Sequence, residues 1–144
     1  MNKTFHLKNG KPYEIEISEI KKQFNVEYII LNAKINGQSI GYLKGNLYFD
    51  SAFAECDAAT EMSFRGNGIA GNLMETFLEH IFGNKKFEKL EKVVLSINNE
   101  NSSSRRVAEK VGFEIYGNDS RDSVEYVMTK EHYNELCDEK KVLK

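Results

Sequence analysis

Residues 65–83 read RGNGIAGNLMETFLEHIFG. From Gly68 onward, Ile69, Leu73, Phe77 and Ile81 recur at helical spacing, with Leu78 and Phe82 beside them. That spacing predicts one amphipathic helix with a single buried stripe. Gly83 is expected to close it as a helix C-terminal glycine. Ala52 to Thr60 before it and Val93 to Ile97 after it have the composition of strands. A strand, helix and strand in this order predict a right-handed crossover with the two strands parallel. The charged connection from Lys85 to Lys92 is expected to be solvated surface.

Working outward, the first half of the chain reads as antiparallel strands. Lys3 to Leu7 and Tyr13 to Ile17 flank Lys8-Asn9-Gly10-Lys11, an Asn-Gly hairpin signal in which both turn positions are expected to take positive φ. Ser18 to Phe24 has room for a helical turn or two. Val26 to Ile35 is rich in β-branched and aromatic residues, Asn36-Gly37 is a second hairpin signal, and Ser39 to Phe49 returns antiparallel. Asp50-Ser51 turns the chain into Ala52 to Thr60, so three strands form a meander.

The second half alternates. Ser102 to Val111 is predicted to be a helix, entered through a serine cluster suited to capping and stopped by Gly112. Phe113 to Tyr116 and Ser123 to Met128 read as strands around Gly117-Asn118-Asp119. A last helix is predicted from Lys130 to about Lys140, with Tyr133, Leu136 and Cys137 on one face. The fold class is mixed α/β: a single domain over residues 1–144, with a central, mostly antiparallel sheet of about six to seven strands flanked by helices.

Composition bounds the function. The chain has 144 residues, 40% hydrophobic and 29% charged, with one proline. These values suit one ordinary globular domain and exclude a collagen-like or proline-rich chain. Twenty Lys and Arg against 22 Asp and Glu give a net charge of -2, which argues against a dedicated nucleic-acid binder. Cys56 and Cys137 match no metal or redox spacing, and His6, His80 and His132 are far apart, so no metal is expected. The start of the chain shows no apolar leader, and no stretch approaches the ~20 apolar residues of a membrane span. A reduced, cytoplasmic protein with no membrane partner is the expectation.

The glycine turn carries the first chemistry. A helix start leaves about four backbone N–H groups without partners and carries roughly half a positive charge. Small residues let an anion approach them, and Arg65 can add a fixed cation with forked donors. Three readings stay open for the turn alone. It can be a glycine-rich reversal with no ligand. It can be a dinucleotide fingerprint, since Gly66, Gly68 and Gly71 fit G-x-G-x-x-G and Glu91 lies twenty residues on; but that fingerprint belongs to the first strand of an alternating domain, and about fifty residues precede it here. It can be a pyrophosphate cradle of another kind. A phosphate loop that ends in Gly-Lys-Ser/Thr is absent.

Arg65-x-x-Gly68-x-Ala70 resembles the R/Q-x-x-G-x-G/A signature of the GCN5-related N-acetyltransferases. Residues 101–113, NSSSRRVAEKVGF, resemble the N-x-x-S-x-x-V-A-E-K-x-G-F block of the same family, closest to the branch that contains ribosomal-protein N-terminal acetyltransferases. Ala54-Glu55 resembles the strand that opens this branch's first motif. The detailed resemblance covers Ala52 to Tyr116.

The resemblance implies an acetyl-coenzyme A-dependent N-acetyltransferase. Acetyl-coenzyme A is its co-substrate and an amine-bearing small molecule or peptide its acceptor. The backbone around Thr60 and Met62 is expected to bond the pantetheine arm like an added strand. Arg65 and the amides of Gly66, Asn67, Gly68, Ile69 and Ala70 are expected to face the pyrophosphate. Asn101 is expected to bond the pantetheine or to orient the loop. The strands on either side of the cofactor are expected to splay at their ends.

Direct attack on the thioester needs a neutral amine, and a free lysine amine has a pKa near 10.4. A carboxylate can take the proton, usually through water. Glu55 is the first candidate and Asp57 lies on the same strand face, with a solvated surface role the alternative for both; Glu61, near the turn, is a weaker candidate whose alternative is structural. The tyrosine that many family members place seven residues after the motif asparagine is Ala108 here. Ser104 is the substitute proton donor that the resemblance implies, and a helix-start hydroxyl is its alternative. The family's two helices after the first strand have no room in this sequence, so the N-terminal helices are reduced. The acceptor pocket is then either open or completed by a second subunit in a homodimer. A non-catalytic acyl-coenzyme A-binding module is the rival from another class.

Overall fold

The computed structural model describes residues 2–23, 25–120 and 122–142, with the side chains of residues 2, 118–120, 141 and 142 outside that description. The elements run β1 (Asn2–His6), β2 (Pro12–Lys22), β3 (Asn25–Ile35), β4 (Gln38–Tyr48), β5 (Phe53–Thr60), α1 (Ile69–Phe82), β6 (Lys92–Asn98), α2 (Ser102–Val111), β7 (Glu114–Ser120), β8 (Ser123–Thr129) and α3 (Lys130–Val142). Hydrogen bonding orders the strands β1-β2-β3-β4-β5-β6-β8-β7. The fold is the expected mixed α/β class, with eight strands where six to seven were expected. The chain divides into two compact units, residues 1–47 with 56–77, and residues 48–55 with 78–144.

In the first unit, β1 to β4 form successive antiparallel pairs. Alternation buries Ile15, Ile29, Leu31, Ala33, Ile40 and Leu43, which are at most 2% exposed, as period-2 patterning requires. The predicted helical turn at Ser18 to Phe24 is instead the continuation of β2 to Lys22, with Ser18 opposite Ile30, Glu19 opposite Ile29 and Ile20 opposite Tyr28. The apolar, β-branched β3 offers a ladder that outweighs the weak local preference of a short Ser-Glu-Ile-Lys-Lys run. Phe24 lies outside the described residues. Among the described residues no α-helix precedes Ile69, so the N-terminal helices are indeed reduced.

The two Asn-Gly turns differ. Asn36 and Gly37 both take positive φ, 50° and 82°, as a two-residue hairpin demands. At the first turn only Gly10 does, at 89°. There the Leu7 N–H donates to Lys11 O and the Gly10 N–H to Leu7 O, a wider turn that the Asn9 side chain closes by accepting from the Lys11 N–H at 2.9 Å. The β4 glycines have another purpose. A Cβ on Gly45 would lie 2.3 Å from Phe77 Cε1, and one on Gly41 would lie 3.2 Å from Ile69 Cγ2. Bare backbone on β4 therefore lets the buried stripe of α1 approach the strand.

In the second unit, β5 pairs in parallel with β6 over Phe53–Glu55 and Lys92–Val94, as the crossover predicts. β6 pairs with β8 and β8 with β7, both antiparallel. Gly117 to Asp119, expected as the turn, lies within β7, which shifts register on both sides of Gly117. The connection after α1 is not all solvated, because Phe87 and Leu90 are at most 1% exposed. Gly83 ends α1 with its N–H on Glu79 O, and glycine is required because a Cβ would stand 2.5 Å from that oxygen rather than because of a left-handed φ. Gly112 does take the left-handed stop, at φ 115°. No helix among the described residues is long and apolar enough to cross a membrane.

Candidate active site

The glycine turn forms in the first unit between β5 and α1. A short 3-10 turn, Met62–Phe64, hands the chain to Arg65, whose N–H donates to Met62 O at 3.3 Å. Gly66 and Gly68 take positive φ, 86° and 77°, which only glycine adopts without steric cost. Nothing lies within 4 Å of a Cβ built on either one, so conformation fixes glycine here and the space above the turn is open.

Asn67 holds the turn between them. Its Oδ1 accepts from the Lys8 N–H at 3.0 Å, and its Nδ2 donates to Phe64 O at 3.0 Å. The first bond of the helix runs from the Asn72 N–H to Gly68 O at 3.0 Å. The Asn72 side chain donates to Tyr13 Oη at 2.7 Å, which ties the first turn of α1 to β2. The Tyr13 hydroxyl is pushed above its ordinary pKa by burial, against the opposing pull of that hydrogen bond.

The N–H groups of residues 66–71 find no acceptor among the described residues. Unpaired helix-start amides beside the exposed Arg65 are what a doubly charged diphosphate needs. Thr60, at the end of β5, has a buried Oγ1 with no hydrogen-bond partner, an orphan polar atom that such a ligand can satisfy. Met62 is 77% exposed. These residues fit a pyrophosphate-bearing cofactor.

The second unit holds Glu55, Asn101 and Ser104. Glu55 is exposed and accepts from Tyr48 Oη at 3.1 Å. That bond, with the lesser effect of burial, holds the Tyr48 hydroxyl above its ordinary pKa. In the first unit, Asp57 and Glu61 are both exposed. Asn101 is the cap of α2, its Oδ1 accepting from the Ser104 N–H at 3.2 Å. The expected serine cap is therefore an asparagine cap, and the Ser104 hydroxyl is not spent on it. Beneath α2, Arg105 Nε donates to Tyr126 Oη at 3.1 Å, and Tyr126 Oη donates to Glu109 Oε2 at 2.6 Å. Cys56 and Cys137 form no disulfide and are half-buried.

Sequence reasoning does not single out Tyr48, Tyr13 or Asn72. Tyr48 and Glu55 flank one tight loop, and hairpin pairing was the available signal. No local pattern links Tyr13 to Asn72, 59 residues apart. Among the described residues no group of His, Cys, Asp and Glu could hold a metal ion.

An open amide turn feeding an amphipathic helix, on a mostly antiparallel sheet with one parallel crossing, defines a mixed α/β domain. The acetyltransferase (GNAT) domain model matches residues 9–114, and the chain belongs to that family of acetyltransferases. No curated protein matches the sequence. Among solved structures, the aminoglycoside acetyltransferase AAC(6')-Ib in complex with coenzyme A is similar at TM-score 0.64 and 20% identity, covering 76% of this chain and 70% of that one. The dodecameric spermidine N-acetyltransferase from Vibrio cholerae gives 0.63 and 19%, covering 74% and 67%. The GNAT domain of S. lividans PAT gives 0.70 and 12%, covering 89% and 96%. At these identities the likeness is one of fold.

Proposed function

We propose that residues 1–144 act as one acetyl-coenzyme A-dependent N-acetyltransferase domain that moves an acetyl group to a primary amine by direct attack. The observation that carries this reading is the row of amides from Gly66 to Gly71 without internal acceptors, ahead of α1 and beside Arg65. Gly66, Asn67, Gly68, Ile69, Ala70 and Arg65 hold the pyrophosphate; Thr60 and Met62 meet the pantetheine arm, and Asn101 donates to it. Bound acetyl-coenzyme A supplies an activated thioester carbonyl.

The chain's own residues manage protons. Glu55 takes the amine proton through water as the C–N bond forms. The Ser104 hydroxyl donates its proton to the departing thiolate as the C–S bond breaks and is reprotonated from solvent. A thiol with a pKa near 8.5 leaves tolerably well, so Ser104 assists rather than decides. The acceptor is an amine-bearing small molecule or a peptide. The 101–113 block supports a place near the ribosomal-protein N-terminal branch, whereas the solved neighbours named above include aminoglycoside and spermidine acetyltransferases.

The test uses two variants at one position. Gly68→Ala and Gly68→Glu share the strain of a side chain at φ 77°, roughly 1–2 kcal/mol. Only the glutamate adds a negative charge above the amides. Calorimetry is expected to show acetyl-coenzyme A binding retained in Gly68→Ala and abolished in Gly68→Glu. Equal affinity in both, with matching circular dichroism, removes the cradle. Release of coenzyme A across a panel of amines then separates an enzyme from a binding module.

A further inference from the structure

The loop that joins β4 to β5 brings the last residue of one strand onto the third residue of the next. Tyr48 ends β4, a 3-10 turn spans Phe49–Ser51, and Ala52 turns the chain at φ 61° with its N–H on Phe49 O at 3.1 Å. A left-handed alanine costs roughly 1–2 kcal/mol, and such strain persists only where surroundings enforce it. Here the Ala52 carbonyl accepts from the Glu91 N–H at 2.8 Å. The result is the Tyr48 Oη to Glu55 Oε1 bond at 3.1 Å, with the Tyr48 ring tilted against Phe53 at 5.0 Å between centroids. Among the described residues Glu55 has no other hydrogen-bond or ion-pair partner.

We propose that Tyr48 is a positioning residue for the catalytic carboxylate, holding Oε1 of Glu55 so that Oε2 is presented to the water that relays the amine proton. This rests on the reading of Glu55 as the base. A free glutamate on a strand face samples several rotamers, and each misplaced one is unproductive. One bond from a phenol braced on Phe53 removes most of that freedom and leaves one oxygen to accept.

The test is a cycle of Tyr48→Phe, Glu55→Gln and the double variant, with coenzyme A release followed against pH on the best amine of the panel. Tyr48→Phe is expected to lower kcat roughly 5- to 10-fold, a part of the usual acid–base contribution. The KM for acetyl-coenzyme A stays unchanged. The double variant is expected to be no slower than Glu55→Gln. An equal fall caused by Tyr48→Phe in both backgrounds overturns the inference and marks the bond as a loop staple. Wild-type activity in Glu55→Gln instead removes the base reading and the inference with it. Side-chain NMR couplings of Glu55 give a readout independent of turnover: one χ1 rotamer is expected in the parent and averaging over several in Tyr48→Phe, and an unchanged rotamer distribution overturns the proposal.

Discussion

At the scale of single residues, Asn101 caps α2 and is proposed to have a second job at a different atom. Its Oδ1 accepts from the Ser104 N–H, while its Nδ2 finds no acceptor among the described residues and is the atom proposed to reach the cofactor. Asparagine carries an acceptor and a donor on one side chain, so a motif residue assigned by resemblance is also a structural cap. The two jobs separate by substitution. Asn101→Ala is expected to cost about 1 kcal/mol of stability, the usual loss for a cap, and to weaken acetyl-coenzyme A binding. Asn101→Asp keeps an acceptor at a helix start that favours negative charge, so it should melt like the parent and still bind acetyl-coenzyme A more weakly. Thermal unfolding and calorimetry on both variants check this, and loss of stability in Asn101→Asp contradicts the cap.

At the scale of elements, what could be read from the sequence followed the strength of local signals. The helix from Ile69 was legible because its apolar stripe repeats four times at one spacing, and the stop at Gly112 because no other residue takes φ 115° at low cost. The glycine turn was legible because its glycines sit directly ahead of the helix start. The rest depended on partners distant in sequence. Ser18 to Lys22 became strand only because β3 lies alongside it, and Tyr13 meets Asn72 only through the tertiary fold. Gly45 is the sharpest case: alone it looks like a weak strand residue, yet it makes room for Phe77, whose ring would stand 2.3 Å from an added Cβ. Gly45→Ala is therefore expected to lower stability by about 1–3 kcal/mol through overpacking. Pairing it with Phe77→Leu should recover part of that loss in a urea double-mutant cycle, whereas simple additivity contradicts the close approach.

At the scale of the whole molecule, buried phenols set how stability responds to base. Tyr13 and Tyr126 are at most 1% exposed, one in each compact unit. Burial raises the pKa of both above the ordinary 10.0, and for Tyr126 the bond to Glu109 adds to the rise while that to Arg105 opposes it. The sign follows from linkage: where the folded state holds its proton more tightly than the unfolded chain, stability is complete below the unfolded pKa and falls as pH rises through the folded one. Unfolding free energy is therefore expected to hold steady with respect to these groups up to about pH 10 and to decline above it. Tyr126→Phe cannot ionise, so its alkaline slope should be shallower by about one proton's worth. Its stability at pH 8 should also fall by about 1–3 kcal/mol, because Glu109 and Arg105 lose their shared partner. Urea unfolding of both proteins from pH 8 to 11 measures the two effects together, and identical slopes would show that Tyr126 ionises as freely in the fold as in the unfolded chain.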